Sequence, residues 1–293
     1  HRSIGSHYNN TVDTFRRAKT AIDTYMPTQL TDINTNDIAD AIGLGCRCMQ
    51  RAFNAQDAEI PFFGATVRPI AQLSGSNESH IPGRHLNALL SAEDALGLAI
   101  DENCIDKHTR AALFSYSHAP LPLHRVGEWQ NGEGTPTEFF DHDLREGFHA
   151  LYALARYRDS ERAQEIAAAS IRTISSYWLP DEQWQFARVE REFSMQFQDV
   201  GHATFIQRSA RAIGPLVKYY RSTGYGPALE LAIALKEKVL RDFFRLDGAF
   251  STELFGPHAH STTSVMSSLA QLADLLQDLS LMQRVKAFYD NGL

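Results

Sequence analysis

An all-α fold of stacked helical hairpins, an α/α toroid (barrel) with long loops on one end, is predicted by three observations. Apolar residues recur at helical spacing along most of the 293 residues. A helix, short break, helix unit begins at 83, 142, 202 and 261, so it recurs about every 60 residues. The breaks inside units are short, whereas the connections between them are long and polar.

The elements follow in order. TVDTFRRAKTAIDTYM (11–26) carries Val12, Phe15, Ala18 and Ile22 on one stripe and predicts a helix. A second is expected over 36–53. Residues 55–82, with Pro61, Phe62, Phe63, Gly64 and Pro69, predict irregular chain with a short strand. The hairpins are then expected as 83–97 with 105–117, 142–157 with 162–178, 202–224 with 227–244, and 261–278 with 281–292. Each leaves an apolar face bare, so neighbours must stack to bury it. Short breaks make the two helices of a unit antiparallel, so the connections 116–141, 179–201 and 245–260 all emerge on one end. DEQWQFARVEREF (181–193) elaborates one of them. The whole chain is expected to form a single domain, residues 1–82 being its less regular part and 83–293 its four hairpins.

Composition excludes several classes. With 43% hydrophobic and 22% charged residues the chain is typical of a soluble globular protein. Its net charge of −7 offers no basic field for nucleic acid or anionic lipid. No apolar run approaches the ~20 residues of a membrane span. Cys46, Cys48 and Cys104 are too few for a disulfide framework, and the helical Cys46-x-Cys48 pair diverges, which disfavours zinc. Asn9 and Asn77 begin glycosylation sequons. The chain opens on His1, so an upstream segment is expected to be missing, which leaves cytoplasm, periplasm and secretion open.

The long connections carry the chemistry. SHIPGRH offers His80, Arg84 and His85. HRVGEWQNGEGTPTEFFDHD offers His124, Arg125, Glu128, Trp129, Glu133, Glu138, Asp141, His142 and Asp143, with Arg145 and Glu146 just beyond. FSMQFQDVGH offers Gln196, Gln198, Asp199 and His202, and ELFGPHAHSTT offers Glu253, His258, His260, Ser261 and Thr262. Helix capping accounts for some of these: Asp141, Asp143, Ser261 and Thr262 suit N-caps, and Glu146 suits a first turn. It does not account for the histidines, which are poor caps and, when charged, repelled by a helix N-terminus. Yet His80, His142, His202, His258 and His260, five of the 12, fall there. Glu93, Asp94, His108 and His149 lie away from this end and are read as surface or packing residues.

On this architecture and loop chemistry, residues 80–293 resemble the six-hairpin glycosidase-like superfamily, in which inner and outer helices alternate. A closed double ring there has twelve helices; about ten are expected here, so the ring is open or incomplete. The resemblance implies a carbohydrate-active enzyme acting on an oligosaccharide, uronate-containing substrates included. A glycoside hydrolase needs two carboxyl groups flanking one bond: Asp141 or Asp143 with Asp199, Glu138 as substitute, and His142 and His202 beside them. His80, Arg84, Trp129, Arg145, His258 and His260 are then the sugar-binding set. A polysaccharide lyase is the alternative, with His142, His202 or Tyr116 as base or acid and Arg84 as charge neutraliser. The third is a non-catalytic helical-repeat scaffold. No cofactor is expected and no metal, although His258, His260, His202 and Asp199 are zinc-type donors. A homo-oligomer is compatible with all three readings.

Overall fold

The computed structural model describes residues 37–67, 70–127, 131–181, 183–198, 201 and 203–292. The chain divides into two compact units, 1–45 and 46–293. In the first, residues 38–45 are helical; their helix, α1 (Ile38–Met49), opens on Asp37, whose Oδ1 accepts from Ala39 N. The expected helix 11–26 lies outside the described residues.

In the second unit, β1 (Phe53–Asn54), β2 (Ile60–Thr66) and β3 (Gln72–Ser76) form an antiparallel sheet with Phe53 opposite Pro61 and Phe62 opposite Ser76. This stretch is more regular than expected. Four hairpins follow: α2 (Ile81–Leu96) with α3 (Glu102–Phe114), α4 (Leu144–Arg158) with α5 (Glu161–Tyr177), α7 (Ile213–Thr223) with α8 (Gly226–Asp242), and α10 (Ala259–Leu276) with α11 (Leu279–Gly292). Between the second and third lies α6 (Phe186–Phe193), and α9 (Thr252–Phe255) precedes the fourth.

Burial separates two layers. In α5 the buried residues Ala163, Ile166, Ala167, Ser170, Ile171 and Ile174 form one stripe, as on a helix facing solvent behind. In α4 nearly every residue from Glu146 to Ala155 is buried, and in α7 every residue from Ile213 to Val217, as in helices packed on several sides. The inner layer runs α2, α4, α7, α10, each against the next; on the outside α5 packs on α8.

All four inner helices end on a left-handed residue: Gly97 (φ 64°), Asp159 (φ 48°), Gly224 (φ 71°) and Gln277 (φ 54°). This cap reverses the chain into the outer partner. Asp101 and Ser160 then accept from Asn103 N and Ala163 N to open α3 and α5. Glycine near the other end of α2 and of α7 lets each approach its inner neighbour closely. A Cβ on Gly83 would stand 1.8 Å from the Glu146 carbonyl oxygen, and one on Gly214 would stand 2.6 Å from Ser268 Oγ.

The connections at this second end are themselves tied. β4 (Leu123–His124) pairs antiparallel with β5 (Glu138–Phe139), and β5 pairs parallel with β8 (Gln196–Phe197). β6 (Trp178–Leu179) pairs with β7 (Gln183–Trp184). The third inner helix departs from expectation: residues 205–207 and 209–212 are 3₁₀ turns, and the α-helix begins at Ile213. Pro215 explains this, because proline fits the first helical turn but not an interior. Among the described residues no helix is long and apolar enough to cross a membrane.

Candidate active site

At the N-terminal ends of the inner helices a cavity of about 690 Å³ opens. Its wall includes Asn77, His80 and Arg84 at the start of α2, Phe140, His142 and Asp143 before α4, and His258 and His260 at the start of α10. His124 of β4, Phe63 of β2 and Gln198 after β8 complete that side. Three hairpins and two small sheets therefore meet at one place.

Asp143 holds the N-cap position of α4, but its carboxylate makes no capping bond. Oδ1 lies 2.7 Å from His80 Nδ1, and Oδ2 accepts from Ser79 Oγ at 2.6 Å. The carboxylate is thus spent on orienting a histidine. His80 occupies the N-cap of α2, again without a capping bond, and its ring stacks on His142 with centroids 5.3 Å apart. His142 stacks in turn on Phe140 and donates from Nδ1 to the Gln207 carbonyl at 2.7 Å. Nε2 is left with its lone pair on a ring that lines the cavity. Burial, followed by the charge of Arg211, pushes the His142 pKa down to about 4, so the ring is neutral at pH 7.

His258 corrects an expectation about capping. Its Nδ1 accepts from Ser261 N at 3.2 Å and pairs with Ser261 Oγ, so this histidine does cap α10. With Nδ1 an acceptor, the neutral ring carries its proton on Nε2. Burial lowers the pKa of His260, helped by Arg145, Arg211 and Arg84.

Beneath the cavity Glu146 is fully buried. Its Oε1 receives Arg211 Nη2 at 2.8 Å, Arg145 Nη1 at 2.8 Å and Arg84 Nε at 3.1 Å. Burial works to raise its pKa, but Arg211, His80, Arg145 and Arg84 overcome this and hold it well below the usual carboxylate range. Glu146 therefore does more than complement a helix dipole: it binds α2, α4 and the turn before α7 to one another.

The other anticipated residues sort as follows. His80, Arg84, His142, Asp143, His258 and His260 line the cavity. Asp141 does not: it is buried beside it, accepting from Trp184 Nε1 at 3.2 Å, from Arg208 Nε at 2.5 Å and from Ser209 Oγ. A carboxylate so enclosed supports the loop and is not presented to a substrate. Glu138 sits opposite His124 across β4 and β5 and accepts from its Nε2 at 2.7 Å, one residue back from the wall. Arg145 is turned onto Glu146. Tyr116 is buried away from the cavity, its hydroxyl against Gly147. Asp199, His202 and Trp129 lie outside the described residues. Phe63, Asn77 and Phe140 were not anticipated. Phe63 reaches the site through strand pairing distant in sequence, which no local signal reveals; Asn77 and Phe140 directly precede chemically loaded residues, and that adjacency was their one clue.

His80, His142, Asp143 and Glu146 each bring a donor atom within 4.8 Å of the others, a set that by composition could hold a metal ion. Their protein partners oppose this. Both Asp143 oxygens and Glu146 Oε1 are engaged, and three guanidinium groups surround the latter.

No protein-family model and no curated protein matches the sequence. Solved structures do match in fold. The GH76 α-mannanase of Bacteroides thetaiotaomicron is 12% identical with TM-score 0.57, covering 86% of this chain and 67% of its own. A sugar epimerase from a ruminal bacterium gives 13% and 0.58, covering 86% and 69%. An unsaturated glucuronyl hydrolase variant with dGlcA-Glc-Rha-Glc gives 12% and 0.53, covering 86% and 66%. This chain shares the α/α toroid fold of these structures. Toroid geometry makes the two layers explicit: α2, α4, α7 and α10 are inner helices, and the cavity is the mouth they surround.

Proposed function

We propose that the protein is a carbohydrate-active enzyme that moves a carbon-bound proton of its sugar, as a lyase or an epimerase does. The observation that carries this reading is the make-up of the mouth. His80, His124, His142, His258 and His260 line it, against one carboxylate, Asp143, among its described residues. His142, whose Nδ1 is spent on the Gln207 carbonyl and whose ring lines the cavity, is the base. His258, carrying its proton on Nε2, is the acid. Asp143 fixes His80 and so the stacked His142, a positioning role. Arg84, on the same wall, neutralises the charge that develops as the proton leaves.

The second reading is a glycoside hydrolase, favoured by the α-mannanase and the glucuronyl hydrolase that share the fold. It requires two carboxyl groups across one bond; Asp143 lines the cavity, and Glu138 stands behind the wall residue His124. Incubation with neutral and acidic oligosaccharides in D₂O separates the two. Deuterium entering recovered sugar, or the ultraviolet absorbance of an unsaturated uronate, is expected. New reducing ends with neither signal would replace proton transfer by hydrolysis. Absence of all three signals across the panel, from folded protein, would remove the enzyme reading.

A further inference from the structure

A second cavity, of about 1100 Å³, lies behind the mouth, and the two share a wall. On β2, Phe63 lines the mouth and Phe62 the second cavity. Where the chain leaves β3, Asn77 lines the mouth, while Ser76 and Glu78 line the second cavity. His124 and Arg125 divide in the same way. This is the two-residue alternation of extended chain. Strand register sets Phe62 opposite Ser76, Gly64 opposite Ser74 and Thr66 opposite Gln72. Phe62, Gln72, Ser74 and Ser76 therefore share the sheet face that the second cavity overlies.

One end of this cavity is a buried ionic cluster. Arg125, its side chain 2% exposed, donates from Nη1 and Nη2 to the two oxygens of Asp57 at 3.0 and 2.7 Å. Its Nε donates to Glu78 at 3.2 Å. These charges satisfy one another, and the groups left over are neutral. The side-chain amides of Gln56 and Gln72 and the Ser74 hydroxyl have no partner among the described residues, and the Phe62 ring meets no other ring or cation there. Amides and hydroxyls offer donors and acceptors together, as sugar hydroxyls do, and a bare phenyl ring suits the apolar face of a sugar. Anions are disfavoured, because the charged residues of this wall are Asp57, Glu78, Glu133 and Arg125, three carboxylates to one guanidinium.

We infer that this second cavity is a separate binding site for a neutral oligosaccharide, back to back with the mouth across the β1–β3 sheet. The inference goes beyond the proton-transfer reading and stands without it, since none of the residues it uses lines the mouth.

Hydrogen–deuterium exchange of the full chain tests this with cellotetraose, maltotetraose, mannotetraose and tetragalacturonate as probes. At least one neutral tetraose is expected to slow exchange over 53–57 and 72–76, and tetragalacturonate is not. Gln72→Ala should raise the half-saturating concentration about 2- to 10-fold. Ser74→Trp, at an exposed strand position that accepts an aromatic residue, should abolish the protection while exchange over 140–143 stays as in wild type. The wild-type footprint stands even where a variant misfolds. Protection confined to 140–143 and 258–260 would overturn the second site and leave the mouth as the sugar site. Stronger protection of 53–57 and 72–76 by tetragalacturonate than by any neutral probe would overturn the neutral class. No protection of these segments by any probe would overturn the inference, whatever the incubation in D₂O shows of the mouth.

Discussion

The α-carbon of Gly83 lies directly against the Glu146 carbonyl, so that a single added methyl would stand 1.8 Å from that oxygen. The obstacle is helical backbone, which cannot rotate aside as a side chain can. Gly83→Ala should therefore force α2 and α4 apart. A loss of at least about 2 kcal/mol is expected, read as a lower denaturation midpoint. Unchanged stability would mean that the two helices do not meet as described.

Asp143→Asn keeps the size of the side chain and removes the charge that orients His80. On the sugar that proves active, kcat should fall by about 10²- to 10⁴-fold, with circular dichroism unchanged. The acid limb of the wild-type pH profile should lie near pH 4, because the base must be neutral and burial holds His142 neutral down to about that value. An acid limb near 6.5 would assign the base to an unperturbed histidine instead.

Glu146→Gln should destabilise the protein more than it alters any surface property. It leaves Arg211 buried without a counter-charge and Arg84 and Arg145 beside it. Breaking such a pair costs about 3–5 kcal/mol. Adding Arg145→Gln should recover part of that loss, and a double-mutant cycle measures the coupling. Strict additivity would show that the three guanidinium groups do not act on one carboxylate.

Acid stability should follow the buried histidines. His85 and His108 meet edge to face at 4.8 Å, and burial first, then neighbouring charge, pushes their pKa values down to about 4 and about 3. Lowered folded pKa values mean that the unfolded chain takes up protons first. Full stability is thus present above pH 6.5 and is lost as pH falls towards 4 and 3. The loss should reach on the order of 3 kcal/mol for each histidine by pH 4. His149, lowered to about 3, and His142 share this window. His108→Phe, placed against Phe53, should reduce the slope measurably without removing it, as followed by denaturant midpoints from pH 7 to 4.

Sequence periodicity located every hairpin because helix stripes and short breaks are local signals. Which end carries the cavity was also legible, from the crowding of His80, His142, His258 and His260 at helix starts. Individual roles were not. Asp141 and Asp143 are two positions apart and look alike in sequence, yet one is buried by Trp184, Ser209 and Arg208 while the other reaches the mouth. That choice is made by the geometry of a 3₁₀ turn and by partners 40 to 70 positions away. Glu146 looked like a routine first-turn acid because its three arginines come from α2, α4 and the turn before α7, and no spacing rule joins them. Histidine capping by His258 was likewise unexpected, since Nδ1 there takes the place of a hydroxyl or carboxylate oxygen.

The left-handed turns that close the inner helices at Gly97, Asp159, Gly224 and Gln277 give the molecule a blunt pole and a working pole. At the blunt pole, brief reversals such as Asp159–Ser160 and Gly224–Tyr225 carry none of the cavity wall, so added residues or new chain ends there would leave the mouth untouched. At the other pole, each connection between hairpins is free to lengthen or change composition while the helices beneath it keep their packing. Variation is thereby steered towards the face that carries the cavity, and one scaffold becomes able to present many different mouths.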